Sequence, residues 1–260
     1  MRWSAAAVLL LIAAGPAAGQ SPRPCDEDRQ GGRPHFCAIR ELTISARPAL
    51  TADAGPNGGL SAEAWDGAGI RIEARVEAWA DSEASARRLA SEIRILTDGT
   101  IRAEGPRADG DHESWSVGFD FRVPRHTDLS LDTHNGGIEV TGVDGRLRFS
   151  TVNGGVTLSA LNGDVRGGTV NGGLHVALSG DHWQGAGLDV ETTNGGVTLA
   201  VPAGYSAHLE AGTINGGMEL DFPITAQGRI GGTISADLGH GGAPIRVRTT
   251  NGGLSLNRAR

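Results

Sequence analysis

The chain contains no lysine: all 23 of its basic residues are arginine, an absence that excludes no chemistry. Other shortages exclude more. Only two cysteines occur, Cys25 and Cys37, which rules out a disulfide-dense scaffold and points to one local disulfide in an oxidising compartment. A metal site built on the pair lacks further ligands apart from His35, and structural zinc normally takes four. The eight histidines form no cluster at ligand spacing with cysteine or carboxylate, so neither a metal nor another cofactor is expected. Positive charge is short as well: the formal net charge is −7, against the basic face that nucleic-acid binding needs. No apolar run reaches the roughly 20 residues that cross a bilayer, so no membrane span is expected. Aromatic residues make up only 4% of the chain. Glycine, by contrast, supplies 41 of 260 residues without proline enrichment or a three-residue period, which excludes collagen and simple linkers and implies many tight turns between short strands.

The longest apolar run, Ala5 to Ala14, follows Arg2 and precedes the small residues Ala17-Ala18-Gly19, the pattern of a cleaved export signal over residues 1–19. No small apolar lead-in stands immediately before Cys25, which argues against lipidation there. The expected organisation is a signal peptide (1–19), an N-terminal segment with the local disulfide (20–37), a less regular β region with one helix (38–123) and a regular repeat (124–258).

The repeat shows in the turns. Asn135, Asp144, Asn153, Asn162 and Asn171 are spaced nine residues apart and each precedes a glycine; Asn194, Asn215 and Asn251 restart the phase. Apolar residues follow at +3 (Ile138, Leu147, Val156, Val165, Leu174), mostly at +5, and at +8 (Val143, Val152, Leu161, Val170). Asn-Gly is also the strongest short signal for a hairpin, so an antiparallel meander competes. Parity argues against it: on one strand +3 and +5 share a face and +8 takes the other. If the chain bends before +8, all three face one interior. The favoured fold is therefore all-β, a β-solenoid whose coils are each two nine-residue halves. Stacked coils would bring like Asn side chains about 4.8 Å apart into a structural turn ladder, with the corner glycines supplying positive φ and close backbone approach. Asn194 lies 23 residues after Asn171, and the surplus falls near Ser179 to Trp183. Asp181, His182 and Trp183 of that insertion are the candidate ligand-facing residues, set against the alternative that Trp183 folds over the core.

Upstream, Ile70 to Ala80 and Trp115 to Val123 alternate as half-buried strands. Glu83 to Ile93 reads as a helix capped by Ser82 or Asp81, and Asp98-Gly99 joins two short strands. This region is expected to provide early coils, beginning with Asn57-Gly58-Gly59, and a cap over one solenoid end.

No nucleophile, zinc-protease or phosphate-loop motif is present. Asp189 with Glu191 and His208 with Glu210 share strand faces, but acids do not recur at a fixed repeat position. Calcium rolls also repeat every nine residues, yet they require Asp at a constant position. Here Glu139-Val140-Thr141, Thr157-Leu158-Ser159 and His175-Val176-Ala177 stand in its place. Addition of calcium is expected to leave the melting temperature unchanged in a thermal scan; a large rise would overturn this.

The run of NGG-plus-apolar units, with a helix between the early Asn57-Gly58-Gly59 and the later array, resembles the bacterial exported adhesin domain family of β-strand repeats. The resemblance implies a β-solenoid, an exported location and no catalytic residues to carry over. The expected function is that of a non-enzymatic, adhesin-like binding module of the cell envelope, its partner an envelope glycan or protein. A periplasmic scaffold without a specific ligand is the alternative, and a carbohydrate-active β-helix enzyme the remote one.

Overall fold

The computed structural model describes residues 25, 33–107, 112–221 and 232–259. Residues 1–19, expected to form an export signal, lie outside them.

The described residues are mostly β with a single helix. Its strands are β1 (His35–Ser45), β2 (Ala49–Asp53), β3 (Leu60–Trp65), β4 (Gly69–Trp79), β5 (Arg94–Leu96), β6 (Ile101–Glu104), β7 (Ser114–Pro124), β8 (Asp128–Thr133), β9 (Ile138–Thr141), β10 (Asp144–Asn153), β11 (Val156–Ser159), β12 (Asn162–Asn171), β13 (Leu174–Ala177), β14 (Gly187–Asn194), β15 (Val197–Val201), β16 (Ala207–Asn215), β17 (Met218–Leu220), β18 (Thr233–Leu238), β19 (Pro244–Asn251) and β20 (Leu254–Arg258). The helix α1 (Glu83–Glu92) follows β4, and Ser82 caps it by accepting from the Ser85 amide. Two ten-stranded sheets result, ordered β1-β4-β7-β3-β9-β11-β13-β15-β20-β17 and β18-β16-β19-β14-β12-β10-β8-β2-β6-β5.

From β8 to β17 successive strands alternate between the two sheets, and the rungs pair with one another in parallel, which rules out the meander. β10 pairs with β12 as Asp144 to Asn162 and β11 with β13 as Val156 to Leu174, each offset by 18 residues. One sheet sends Ile138, Val140, Val156 and Leu158 inward, and the other sends Leu129, Leu131, Leu147 and Phe149 to meet them; all are at most 5% exposed. Only alternate residues of each strand enter this core, as the pleat dictates. Gly167, in an otherwise apolar inward slot, sits beside Phe149 in the register, and a Cβ there would lie 2.7 Å from the Phe149 ring. The large ring of one rung fills the space that the next leaves empty.

At the N-terminal end β2 and β3 form the first coil, pairing in parallel with β8 and β9. Beyond it the pattern changes. β1, β4 and β7 form an antiparallel extension. The helix packs its Ala86, Leu89 and Ala90 inward, and Arg40 of β1 donates to the carbonyls of Ala90 and Ile93 at its C-terminus, where the helix dipole is negative. Cys25 and Cys37 are joined by a disulfide that ties the N-terminal segment to β1.

At the other end the rungs do not follow chain order. β19 and β20 insert between the rung of β14 and β15 and that of β16 and β17, so Asn251 lies between Asn194 and Asn215. The spacing of 36 residues from Asn215 to Asn251 suggests rungs added in sequence; the chain instead passes through β18, antiparallel to β16, and returns inside.

Candidate functional site

The nine-residue series divides in two. A coil of 18 residues has two corners, so turns nine residues apart lie at opposite corners. Each therefore stacks only on every second turn of the series. One corner carries a continuous amide ladder in which Asn135 donates to Asn57, Asn153 to Asn135, Asn171 to Asn153, Asn194 to Asn171, Asn251 to Asn194 and Asn215 to Asn251, at 2.7 to 3.0 Å. All seven are exposed. Each internal amide spends one of its two N–H groups in the ladder, which leaves the other outside it. Asp144 and Asn162 do not belong to it. They start strands at the opposite corner, where Asn162 Oδ1 accepts from the Gln184 amide and Asp144 faces His126.

The glycine after each ladder Asn serves close approach rather than conformation. Gly136, Gly154, Gly172, Gly195, Gly252 and Gly216 are absent from the positive-φ residues. A Cβ on any of them would strike the carbonyl oxygen of the corresponding glycine one rung away.

Two residues before every ladder Asn except Asn57 the sequence places a threonine: Thr133, Thr151, Thr169, Thr192, Thr213 and Thr249. All are at most 7% exposed. Each Oγ1 donates at 2.5 to 2.9 Å to the carbonyl of the corner glycine of the adjacent rung. The apolar count overlooked this row, though the Thr-x-Asn-Gly-Gly spacing was there to be read. The hydroxyls also displace Val152 and Val170 from the interior: Val152 is half-buried and Val170 is 42% exposed, whereas Val143 and Leu161 at the other corner are buried. Thr169→Val keeps the shape and deletes the donor; it is expected to cost about 1–2 kcal/mol in urea unfolding.

Trp183 is not presented to a ligand. It is 4% exposed, and its indole N–H donates to the Gly163 carbonyl at 3.0 Å. It fills the inward slot that Leu161 and Val143 fill one and two rungs away, because Gln184 takes the corner position above Asn162 and its carbonyl accepts from the Gly163 amide at 2.7 Å. Asp181 and His182 remain outside, paired with each other at 2.6 Å. The Asp181 carboxyl is held below the usual range by that contact.

The candidate acid pairs stay together but are held by further charges: His208 lies 3.7 Å from Glu210, and Arg248 reaches both Asp189 and Glu191. Arg246 grips Glu210 with two bonds of 2.8 and 3.1 Å and holds its pKa down. His208 meets Asp237 at 2.7 Å, and Asp189 meets Arg248 at 2.7 Å. Carboxylates so held are poor proton donors near neutrality. Among the described residues no group of three or more His, Cys, Asp or Glu is placed to hold a metal.

Besides the fully exposed Asp181, four carboxyls are shifted and bear on the response to pH. Burial raises the pKa of Asp120, and burial with the neighbouring Asp53 raises that of Asp132. Hydrogen bonds from Arg148 and Arg246 lower those of Asp164 and Glu210. Protonating the raised pair adds stability as pH falls toward the ordinary carboxylate value of about 4. Below it the lowered pair loses what its ion pairs contribute. The urea midpoint is expected to rise slightly from pH 7 to about 4 and then fall; Asp132→Asn should flatten the rise.

A family model described as Toastrack DUF4097 matches residues 99–257. The chain belongs to the Toastrack DUF4097 family. The match begins just upstream of β6 and takes in the parallel array from β8 into β20, but not its first coil of β2 and β3. No curated protein matches the chain. Among solved structures, a "putative cell adhesion protein" from Clostridium sporogenes is 11% identical, with a TM-score of 0.43 over 85% of this chain and 100% of that one. A "putative adhesin" from Bacteroides fragilis is 10% identical, with a TM-score of 0.35 over 85% and 97%. A "putative lipid binding protein" from Parabacteroides distasonis is also 10% identical, with a TM-score of 0.28 over 86% and 97%. No helix among the described residues is long and apolar enough to cross a membrane.

Proposed function

We propose that this Toastrack protein is an exported, non-enzymatic, adhesin-like binding module of the cell envelope, working in the periplasm, at the surface or outside the cell. The carrying observation is the parallel register, kept through seven rungs from β3 to β17, which repeats the same surface groups at a fixed interval along one axis. A periodic, backbone-rigid surface suits a periodic or extended partner, an envelope glycan or protein. Within this reading the unit is an NGG-type half-coil of nine residues, supported by the offset of 18 between paired strands. Residues 1–19 act as the signal peptide, and the disulfide between Cys25 and Cys37 suits the oxidising compartment to which it leads. Residues 38–123 supply the first coil and the cap, and 124–258 the array. The ladder of Asn residues is structural.

Protease and antibody accessibility on intact cells, with lysed cells as control, tests the location. Access on intact cells supports display and adhesion. Access only after lysis ends the adhesin reading and supports the periplasmic scaffold.

A further inference from the structure

A cavity of about 540 Å³ opens on the outer face of the first sheet, where the antiparallel extension meets the array. Its floor is bare backbone. Gly118, Gly59, Gly137 and Gly155 lie side by side, fixed by the amides of Phe119, Leu60 and Ile138 bonding to the carbonyls of Gly59, Gly137 and Gly155 at 2.9 to 3.0 Å. One wall is a row of outward side chains on the same strands: Asp120 pairs with Ser61, Ser61 with Glu139 and Glu139 with Thr157. Arg75, opposite Gly118 in the register, closes the end. Beyond Gly155 the floor continues through Gly173 and Gly196 along the solenoid axis, bordered by the exposed amide ladder. The volume lies within the roughly 300–1,000 Å³ of small-ligand sites.

The wall chemistry selects the occupant. Hydroxyls, carboxylates and a guanidinium converge on a hydrophilic space with a flat Cα–H floor, which fits a sugar ring with an apolar face and a rim of hydroxyls. Two carboxylates, Asp120 and Glu139, stand against Arg75, so a polyanion is disfavoured. The Asp120 carboxyl, half-buried and in contact with Ser61, has its pKa raised by burial. An added peptide strand would require a free sheet edge, and these strands already pair on both sides. Resting on the binding-module reading above, we propose that this cavity seats one ring of an uncharged linear glycan, whose chain runs along the glycine floor parallel to the solenoid axis.

The floor permits a test that spares the fold. A Cβ built on Gly118 or Gly155 meets nothing closer than 3.6 Å, and neither has positive φ. Gly118→Leu and Gly155→Leu should therefore fill the cavity with the melting temperature unchanged or raised. Calorimetric titration of the purified protein would use cellohexaose and chitohexaose as uncharged linear probes and hexagalacturonate as the polyanion. Binding of at least one uncharged hexamer is expected, weakened about tenfold or more, the equivalent of about 1.4 kcal/mol, by Gly118→Leu and by Asp120→Asn. The proposal is overturned if neither uncharged hexamer binds, if only hexagalacturonate binds, or if the filled variants bind as the unmodified protein does. None of these outcomes bears on display at the cell surface, which the accessibility experiment decides separately.

Discussion

Gly154→Ala is expected to be among the most damaging single-methyl changes in the molecule, lowering stability by more than about 3 kcal/mol or preventing folding. The added Cβ would be driven into the carbonyl oxygen of Gly136 on the neighbouring rung, with the Gly136 carbonyl carbon at 2.5 Å and the Gly137 amide nitrogen at 3.0 Å. All three are backbone atoms. No rotamer change relieves the overlap; the rungs themselves must separate, and the Thr151 bond to the Gly136 carbonyl and the ladder bond from Asn153 to Asn135 lie at that seam. Gly155→Ala, one residue on, is the control. Its Cβ meets only the Gly173 carbonyl, at 3.6 Å, and points into open space. Replacing a strand glycine there is expected to be neutral or stabilising by up to about 1 kcal/mol. Urea midpoints of the two variants decide the matter: equal values would mean that rung separation is set elsewhere.

Trp183→Ala is the second large effect, expected at about 3–5 kcal/mol in the same measurement. The indole closes the corner that Val143 and Leu161 close in the preceding rungs, and its removal leaves a void at the base of the insertion. Trp183→Phe retains most of the volume and loses the bond to Gly163, for a cost of about 1 kcal/mol. His182→Ala, on the exposed side of the same loop, should stay within about 0.5 kcal/mol of the unmodified protein. A ligand-facing Trp183 would reverse the order, since an exposed aromatic contributes little to folding.

Much of this architecture could be read from spacing. Glycine at every corner, apolar residues at +3 and +5, and the parity conflict with +8 led from the sequence to stacked parallel rungs. The Ser82 cap and the Asp98-Gly99 turn were legible because each depends on residues within a few positions. What failed was the assumption that equal turns have equal surroundings. Asn153 and Asn162 look alike in sequence, yet one joins an exposed amide ladder and the other supports a loop through Gln184. Val152 and Leu161 occupy the same position in the count, yet a buried threonine hydroxyl next to Val152 takes the inward place. The sequence left Trp183 open between a ligand-facing and a core position because the irregular loop shifts the repeat phase, and the corner it fills is defined only by the rungs on either side.

The sequence by itself determined the local terms: an acidic, glycine-rich, strand-forming chain with a nine-residue beat, which fixes turn positions and inward faces because both depend on neighbours along the chain. Tertiary structure alone decided which turns stack, that β19 and β20 slide between earlier rungs, and that four glycines from distant segments lie side by side as the floor of a cavity. Those outcomes depend on contacts between rungs, where a carbonyl of one coil meets the Cα of another. A periodic sequence presents many nearly equivalent partners for such contacts, and only packing of the whole stack chooses among them.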